Sequence, residues 1–408
     1  MPLHAFTGFL PVLFAVSGAG AAPTVTEAEL LARLRRDAPA VVSIASDLPR
    51  ARAALLDARA LPNPVLELTH EDPGDADAQT EWRLTWQLPS AARRFDVDAA
   101  QTSIEAATAR FDHRVRALRA RVREAYADWA VAAARHARLA TAVAQLESLT
   151  ARERARADRG ESSGLDARRL QLAATTLDAQ RALEAAALRR ARGAIQPWWP
   201  DLHPDAQPIL PTPSSPCGDA SSDRAHPRVA ALRADARAAA LTREARSRFV
   251  EAPALTIGWL QQDAAGVDPH GPVVGVTWSA PLFDRRRGAR LAAEARASAL
   301  QADADLAAQE IAAQRADARA RCEALTREAV AARDALQSNA DMRTAAETAF
   351  RYGELPLTDL LDVERATRDA HLAWLALHAA ALTAHRELDA LAPAASHHTF
   401  DPTEVHDP

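Results

Sequence analysis

From Glu81 to Leu88 the chain alternates strictly: Trp82, Leu84, Trp86 and Leu88 are apolar, while Glu81, Arg83, Thr85 and Gln87 are polar. Val274, Val276, Trp278 and Ala280 repeat the pattern, with Gly275, Thr277 and Ser279 between them. A period of two predicts strands with one greasy and one wet side. Val65 to His70 and Leu255 to Gln261 read as hairpin partners, so the strands fall at about 63–71, 80–88, 253–262 and 272–280. Four strands cannot close a barrel that holds water. Closure therefore implies partner chains.

A second pattern has the helical period. Ser90 to Arg159 is seventy residues without Gly or Pro, roughly 105 Å of α-helix at about 1.5 Å per residue. Its apolar positions are spaced four and three apart through Phe111, Val115, Leu118, Val122, Ala125, Trp129, Ala132, His136, Leu139, Val143 and Leu146. This is a coiled-coil seam, and His136 on it reads as a packed or rim histidine. Ala289 to Tyr352 gives a second uninterrupted stretch of sixty-four residues, roughly 96 Å on the same rise.

The two patterns occur twice because the chain is one unit written twice. Thr85-Trp86-Gln87-Leu88-Pro89 recurs as Thr277-Trp278-Ser279-Ala280-Pro281, and Arg93-Arg94 recurs as Arg285-Arg286, both at an offset of 192. Arg159-Gly160-Glu161 with Asp166 recurs as Tyr352-Gly353-Glu354 with Asp359 at an offset of 193. The first repeat is placed at 23–195 with its turn at about 159–166, and the second at 228–392 with its turn at about 352–359. A proline-rich linker, 196–227, is expected to be extended rather than helical, and 393–408 is expected to be a disordered tail holding His397, His398 and His406.

Composition changes this picture little. Aromatics are 5% and glycines number 14, a balance that suits long helices. A net charge of −5 without long blocks of one sign gives no reason to expect nucleic acid. Residues 1–22 read as a secretory signal, with an apolar run from Phe6 to Val16 followed by small residues up to Ala22; a buried helix or short anchor is the other reading of that run. No later run of eighteen apolar residues exists, so membrane contact falls to the strands. Cys217 and Cys322 lie far apart, in the linker and in a helical run, which argues against a disulfide framework. Neither follows the signal segment, so an N-terminal lipid has no acceptor.

The doubled order of hairpin, Trp/Pro stop, basic pair, long helix and turn resembles the outer-membrane efflux proteins of the TolC family. The turn reads Phe350-Arg351-Tyr352-Gly353-Glu354-Leu355-Pro356-Leu357-Thr358-Asp359-Leu360-Leu361-Asp362, and the entry to the first strand reads Leu61-Pro62-Asn63-Pro64. The resemblance covers about 25–392 and implies a mainly α fold with a small β part. Three chains would form a homotrimer, with four strands each in a twelve-stranded outer-membrane barrel and long helices in a periplasmic α-barrel. Trp82, Trp86, Trp259 and Trp278 would face lipid. Gly160, Glu161, Asp166, Gly353, Glu354 and Leu355 would form the tips that meet a periplasmic adaptor, the membrane fusion protein, which in turn joins an inner-membrane pump of the RND type.

The resemblance also implies that Asp359 and Asp362 ring the pore constriction. Three residues apart, they share a helix face, and a threefold axis would place six carboxylates around one passage, favouring cations. Carboxylates in a first helical turn are stabilising in any helix, which is their second reading. The implied function is a passive conduit for small solutes. The chain's length, its two clean repeats and its strand entry look more like the heavy-metal (CzcC/CusC-like) branch, for cobalt, zinc, cadmium or copper, than the branch for drugs and organic solutes. No P-loop, G-x-S-x-G, H-E-x-x-H or paired Cys ligands occur, so neither an enzyme, a cofactor nor a bound metal is expected. A periplasmic coiled-coil adaptor is the rival from another class, but it would not carry two hairpins of alternating hydrophobicity.

Overall fold

A computed structural model describes residues 23–393, apart from 35–37, 73, 75–77, 163, 214–216, 219–224, 248–251, 264–269, 280–282 and 284–285. The signal segment, Ser163, Ala280, Pro281, Arg285 and the three tail histidines lie outside the described residues. In chain order the elements are β1 (Thr24–Val25), α1 (Glu27–Ala32), α2 (Pro39–Ala45), α3 (Asp47–Arg59), β2 (Val65–Glu71), β3 (Ala78–Gln87), α4 (Arg93–Asp158) and α5 (Leu165–Ile195). They continue with β4 (Gln207–Pro208), α6 (Pro227–Ser247), β5 (Ala254–Asp263), β6 (His270–Thr277), α7 (Arg287–Ser338), α8 (Met342–Arg351) and α9 (Leu357–Ala390). No described helix is long and apolar enough to cross a membrane.

The chain divides into two compact units. One comprises Met1–Arg33, Ala125–Pro211 and Arg343–Leu375. Its core joins Leu139, Val143, Leu146 and Leu149 of α4 to Leu170, Ala174 and Leu177 of α5, Ala346 of α8, and Leu357 and Leu360 of α9. The four-three spacing on α4 thus buries one stripe between neighbouring helices, where each fully buried leucine contributes about 2 kcal/mol. Ala125 and His136 sit half-buried on that stripe.

The other unit comprises Leu34–Glu124, Thr212–Met342 and Ala376–Pro408. It contains one four-stranded antiparallel sheet in the order β2-β3-β5-β6. The hairpin partners pair as their alternation predicts. The junction between repeats is made by β3 and β5, in register from Ala78 opposite Asp263 to Gln87 opposite Ala254. Arg110 and Arg237 pair with Asp235 and Glu105 at 2.6 and 2.8 Å, tying α4 to α6.

Two expectations are corrected. The second long helix is broken after Ser338, although no Gly or Pro lies there. Ser338 Oγ donates to the carbonyl of Asp334 and Asn339 Nδ2 to that of Ala335, so short polar side chains compete for the carbonyls that the helix would use. Within the linker, Gln207–Pro208 is an extended strand that pairs in parallel with Thr24–Val25. Finally, Cys217 and Cys322 form a disulfide with their Cα atoms 6.1 Å apart. The linker folds back onto α7 and removes the distance that their separation in sequence suggested.

Candidate functional site

Register decides what each face of the sheet presents. Trp82 stands opposite Trp259, Leu84 opposite Ile257 and Trp86 opposite Leu255. Leu66 and Leu68 extend these rows on β2, and Val274 and Val276 extend them on β6. Apart from the half-buried Leu84, these side chains remain between 37% and 73% exposed in the single chain, a contiguous apolar surface of the kind that marks a membrane or protein contact. Trp86 still has a polar partner, since its Nε1 donates to the carbonyl of Pro62 at 3.0 Å. An apolar ring with one satisfied polar tip suits a membrane interface. Trp278 lies one residue beyond β6 and is 54% exposed.

The opposite face is polar. Glu67, Arg83, Thr85 and Thr256 share it, with the Arg83 guanidinium donating twice to the Glu81 carboxylate, each bond 2.6 Å. The hydroxyls of Thr85 and Thr256 lie 3.1 Å apart. Gly258 is required here, because a Cβ would collide with the Trp82 carbonyl and crowd Arg83. Among the described residues nothing pairs with the outer edges of β2 and β6. Open edges of this kind are templates for pairing with another strand.

The two tip turns are built alike. Gly160 N donates to the carbonyl of Ala157 and Glu161 N to that of Arg156, both at 2.9 Å. Gly353 N donates to Phe350 and Glu354 N to Ala349, at 3.0 and 2.9 Å. Each is a Schellman ending, and each glycine has a positive φ, +75° and +79°. In the first turn the Arg159 guanidinium grips Glu161 at 2.8 Å and holds its carboxyl below the usual range; Asp166 lies 3.8 Å from Arg169. In the second, Glu354 is exposed while Leu355 is half-buried against the core, so the outward ring is Tyr352, 77% exposed.

Asp359 and Asp362 are both exposed on the first turns of α9. Asp362 pairs with Arg365 at 3.1 Å, and Asp359 accepts from the Thr358 hydroxyl at 3.2 Å. Two residues on, Glu364 is half-buried at a cleft of about 390 Å³ lined also by Arg152, Arg343 and Glu347. Arg343 reaches Glu347 at 3.3 Å and Glu364 at 3.7 Å, and Arg152 reaches Glu347 at 2.9 Å. Burial pushes the Glu364 carboxyl up against the pull of Arg343.

Tyr126 escapes a reading based on apolar spacing because it sits beside the seam. It is fully buried, with its hydroxyl 2.7 Å from the carbonyls of Val25 and Ile209 and accepting from Ile209 N at 3.0 Å. One phenol thus ties the β1/β4 pair to α4, and burial raises its pKa to about 12. The disulfide escapes for a different reason: it joins residues 105 apart.

No protein-family model matches the sequence, and no curated protein matches it. Solved structures do match the fold. The outer-membrane channel OprN aligns with a TM-score of 0.72 at 17% identity over 90% of each chain. CusC, whose structures concern folding and transmembrane channel formation, aligns at 0.71 and 16%, covering 90% of this chain and 92% of that one. The outer membrane protein VceC of Vibrio cholerae aligns at 0.71 and 16%, covering 90% and 96%. At such identities the likeness is one of fold, and it spans nearly the whole of both partners.

Proposed function

We infer that this chain is the outer-membrane channel component of a tripartite efflux pump, a passive conduit that extends into the periplasm and catalyses no reaction. The observation that carries the reading is the four-stranded sheet, with one exposed apolar face, one polar face and two open edges. Such a sheet is satisfied in a bilayer only by closure with further copies. The fold shared with outer-membrane channels supports this.

Three chains supply twelve strands, a barrel wide enough for a water-filled lumen. In that homotrimer the turns at Gly160 and Gly353 meet a periplasmic adaptor, which joins an inner-membrane RND pump. Asp359 and Asp362 set the constriction. The cargo is a heavy-metal cation such as cobalt, zinc, cadmium or copper, a reading supported by carboxylates exposed on one helix face.

Membrane fractionation with heat-modifiable electrophoresis tests the conduit. The chain should travel with outer membranes as a trimer that dissociates on boiling, and recovery in the soluble periplasm would sink the reading. Metal-efflux assays in cells carrying the chain with its pump should show cation export; export of organic solutes alone would replace the cargo and leave the channel standing.

A further inference from the structure

Outside the sheet and the turns, one cluster has a chemistry that the conduit does not use. Cys217 of the linker, Cys322 of α7 and His385 of α9 converge so that their ligand atoms all lie within 4.8 Å of one another. They are 6%, 0% and 5% exposed. His385 Nε2 is 3.7 Å from Cys217 Sγ and 3.0 Å from the Thr326 hydroxyl, which itself lies 3.7 Å from that sulfur. Ala318, Ala384 and Leu388 wall the cluster off from water.

A disulfide needs none of this. Two sulfurs are satisfied by each other, yet an imidazole nitrogen is aimed at the pair from a third element. Two thiolates and one imidazole, with a hydroxyl at hand, are the donor set of a closed tetrahedral site for a borderline or soft cation. We propose that Cys217, Cys322 and His385 bind one Zn(II) or Cu(I) ion when the cysteines are reduced, so that the disulfide and the metal are alternative occupants of the same pocket.

The chemistry balances. A dithiol reductant of the thiol–disulfide oxidoreductase class attacks one sulfur, and the mixed disulfide resolves as the reductant is oxidised to its own disulfide. Both cysteines are left as thiols. Metal binding then releases two protons as two metal–thiolate bonds form. Rotation about the Cα–Cβ bonds must part the sulfurs to about 3.8 Å, the spacing of two roughly 2.3 Å bonds at a tetrahedral angle. Nε2 exchanges its contact with Thr326 for the metal, which leaves the fourth position to the threonine hydroxyl or a water. The site does not depend on the export reading, because the three residues come together in one unit whatever the sheet is for.

The test uses full-length protein in detergent, reduced with a phosphine that is then removed, and titrated with Co(II) under argon. The expected result is one cobalt per chain with thiolate-to-metal charge-transfer absorption, displaced by one equivalent of Zn(II) and absent in the unreduced protein. Cys322→Ser should abolish the absorption. His385→Ala keeps the disulfide of the unreduced chain and should weaken binding by at least the roughly 10–100-fold that loss of an outer-shell partner costs. Reduced, folded protein that takes up no cobalt, or that shows no thiolate band, would overturn the proposal and leave the pair a covalent staple. Should reduction unfold the chain, refolding with one equivalent of Zn(II) supports the site, and unfolding regardless of metal removes it.

Discussion

Trp82 and Trp259 stand directly opposite each other across β3 and β5, the one strand pairing among the described residues that joins the two sequence repeats. Cross-strand aromatic pairs contribute about 0.2–1 kcal/mol beyond what smaller pairs give. More depends on where the pair faces. Trp82→Arg on the apolar face should cost about 2–4 kcal/mol of membrane folding, read as loss of heat-modifiable trimer on insertion into vesicles. Thr85→Arg on the polar face should leave insertion near that of the parent. Equal tolerance of both would mean that the apolar face does not meet lipid.

The two turns answer to one backbone requirement. A Cβ at Gly160 or Gly353 would meet nothing within 4 Å, so Ala is penalised there by the positive φ alone. Gly160→Ala and Gly353→Ala should each lower stability by about 1–2 kcal/mol, with Asn milder at both. Chemical denaturation of the purified protein reads this directly. An unchanged midpoint for either Ala variant would show that its turn is not held in the left-handed conformation.

Local chemistry is what made these features legible in the sequence. Alternation at Glu81–Leu88 needs only neighbouring residues to be seen, and a glycine between long apolar-periodic stretches announces a helix end. Convergence over distance is different. Nothing near Cys217 names Cys322 as its partner, and nothing near Trp82 names Trp259. The break after Ser338 had a signal, an adjacent Ser and Asn able to bond back to carbonyls, but a search for Gly and Pro passes over it. Tyr126 lies off the apolar spacing, and its role shows only when its hydroxyl is seen between two carbonyls.

That hydroxyl makes a prediction of its own. Tyr126→Phe keeps the ring against Trp129, an edge-on contact at 6.0 Å, and deletes only the oxygen. Buried carbonyls that lose a donor cost about 1–3 kcal/mol. The loss should appear as faster proteolysis near residues 23–25 and 207–209, because the phenol contacts the backbone on both sides of the β1/β4 pair. A cleavage pattern identical to the parent's would mean that the phenol carries no structural load.

Glu364 supplies a pH dependence with a definite sign. Burial raises its folded pKa above the ordinary 4.5, Glu347 pushes the same way, and Arg343 and Arg138 oppose. Its contribution to stability is therefore full below about 4.5 and lost as pH rises through the raised folded value. Glu364→Gln mimics the protonated form. Its thermal midpoint should exceed the parent's at neutral pH, with the gap closing towards pH 4.5. A gap that widens on acidification would mean that the Arg343 pairing outweighs desolvation.

Asp359 and Asp362 separate the pore from the helix as explanations. As dipole partners at the start of α9 they act within one chain, and Asn at either position should cost about 0.3–1 kcal/mol while leaving transport alone. As members of a threefold ring they act on whatever passes, through six charges in a narrow, poorly screened space. The double change Asp359→Asn with Asp362→Asn keeps side-chain size and removes the charge. In trimers reconstituted into planar bilayers it should lower cation-over-anion selectivity and relieve block by multivalent cations. Arg365→Gln frees Asp362 from its 3.1 Å ion pair, so it should move selectivity the other way. Stability that falls while both conductance properties stay fixed would return the two carboxylates to the helix.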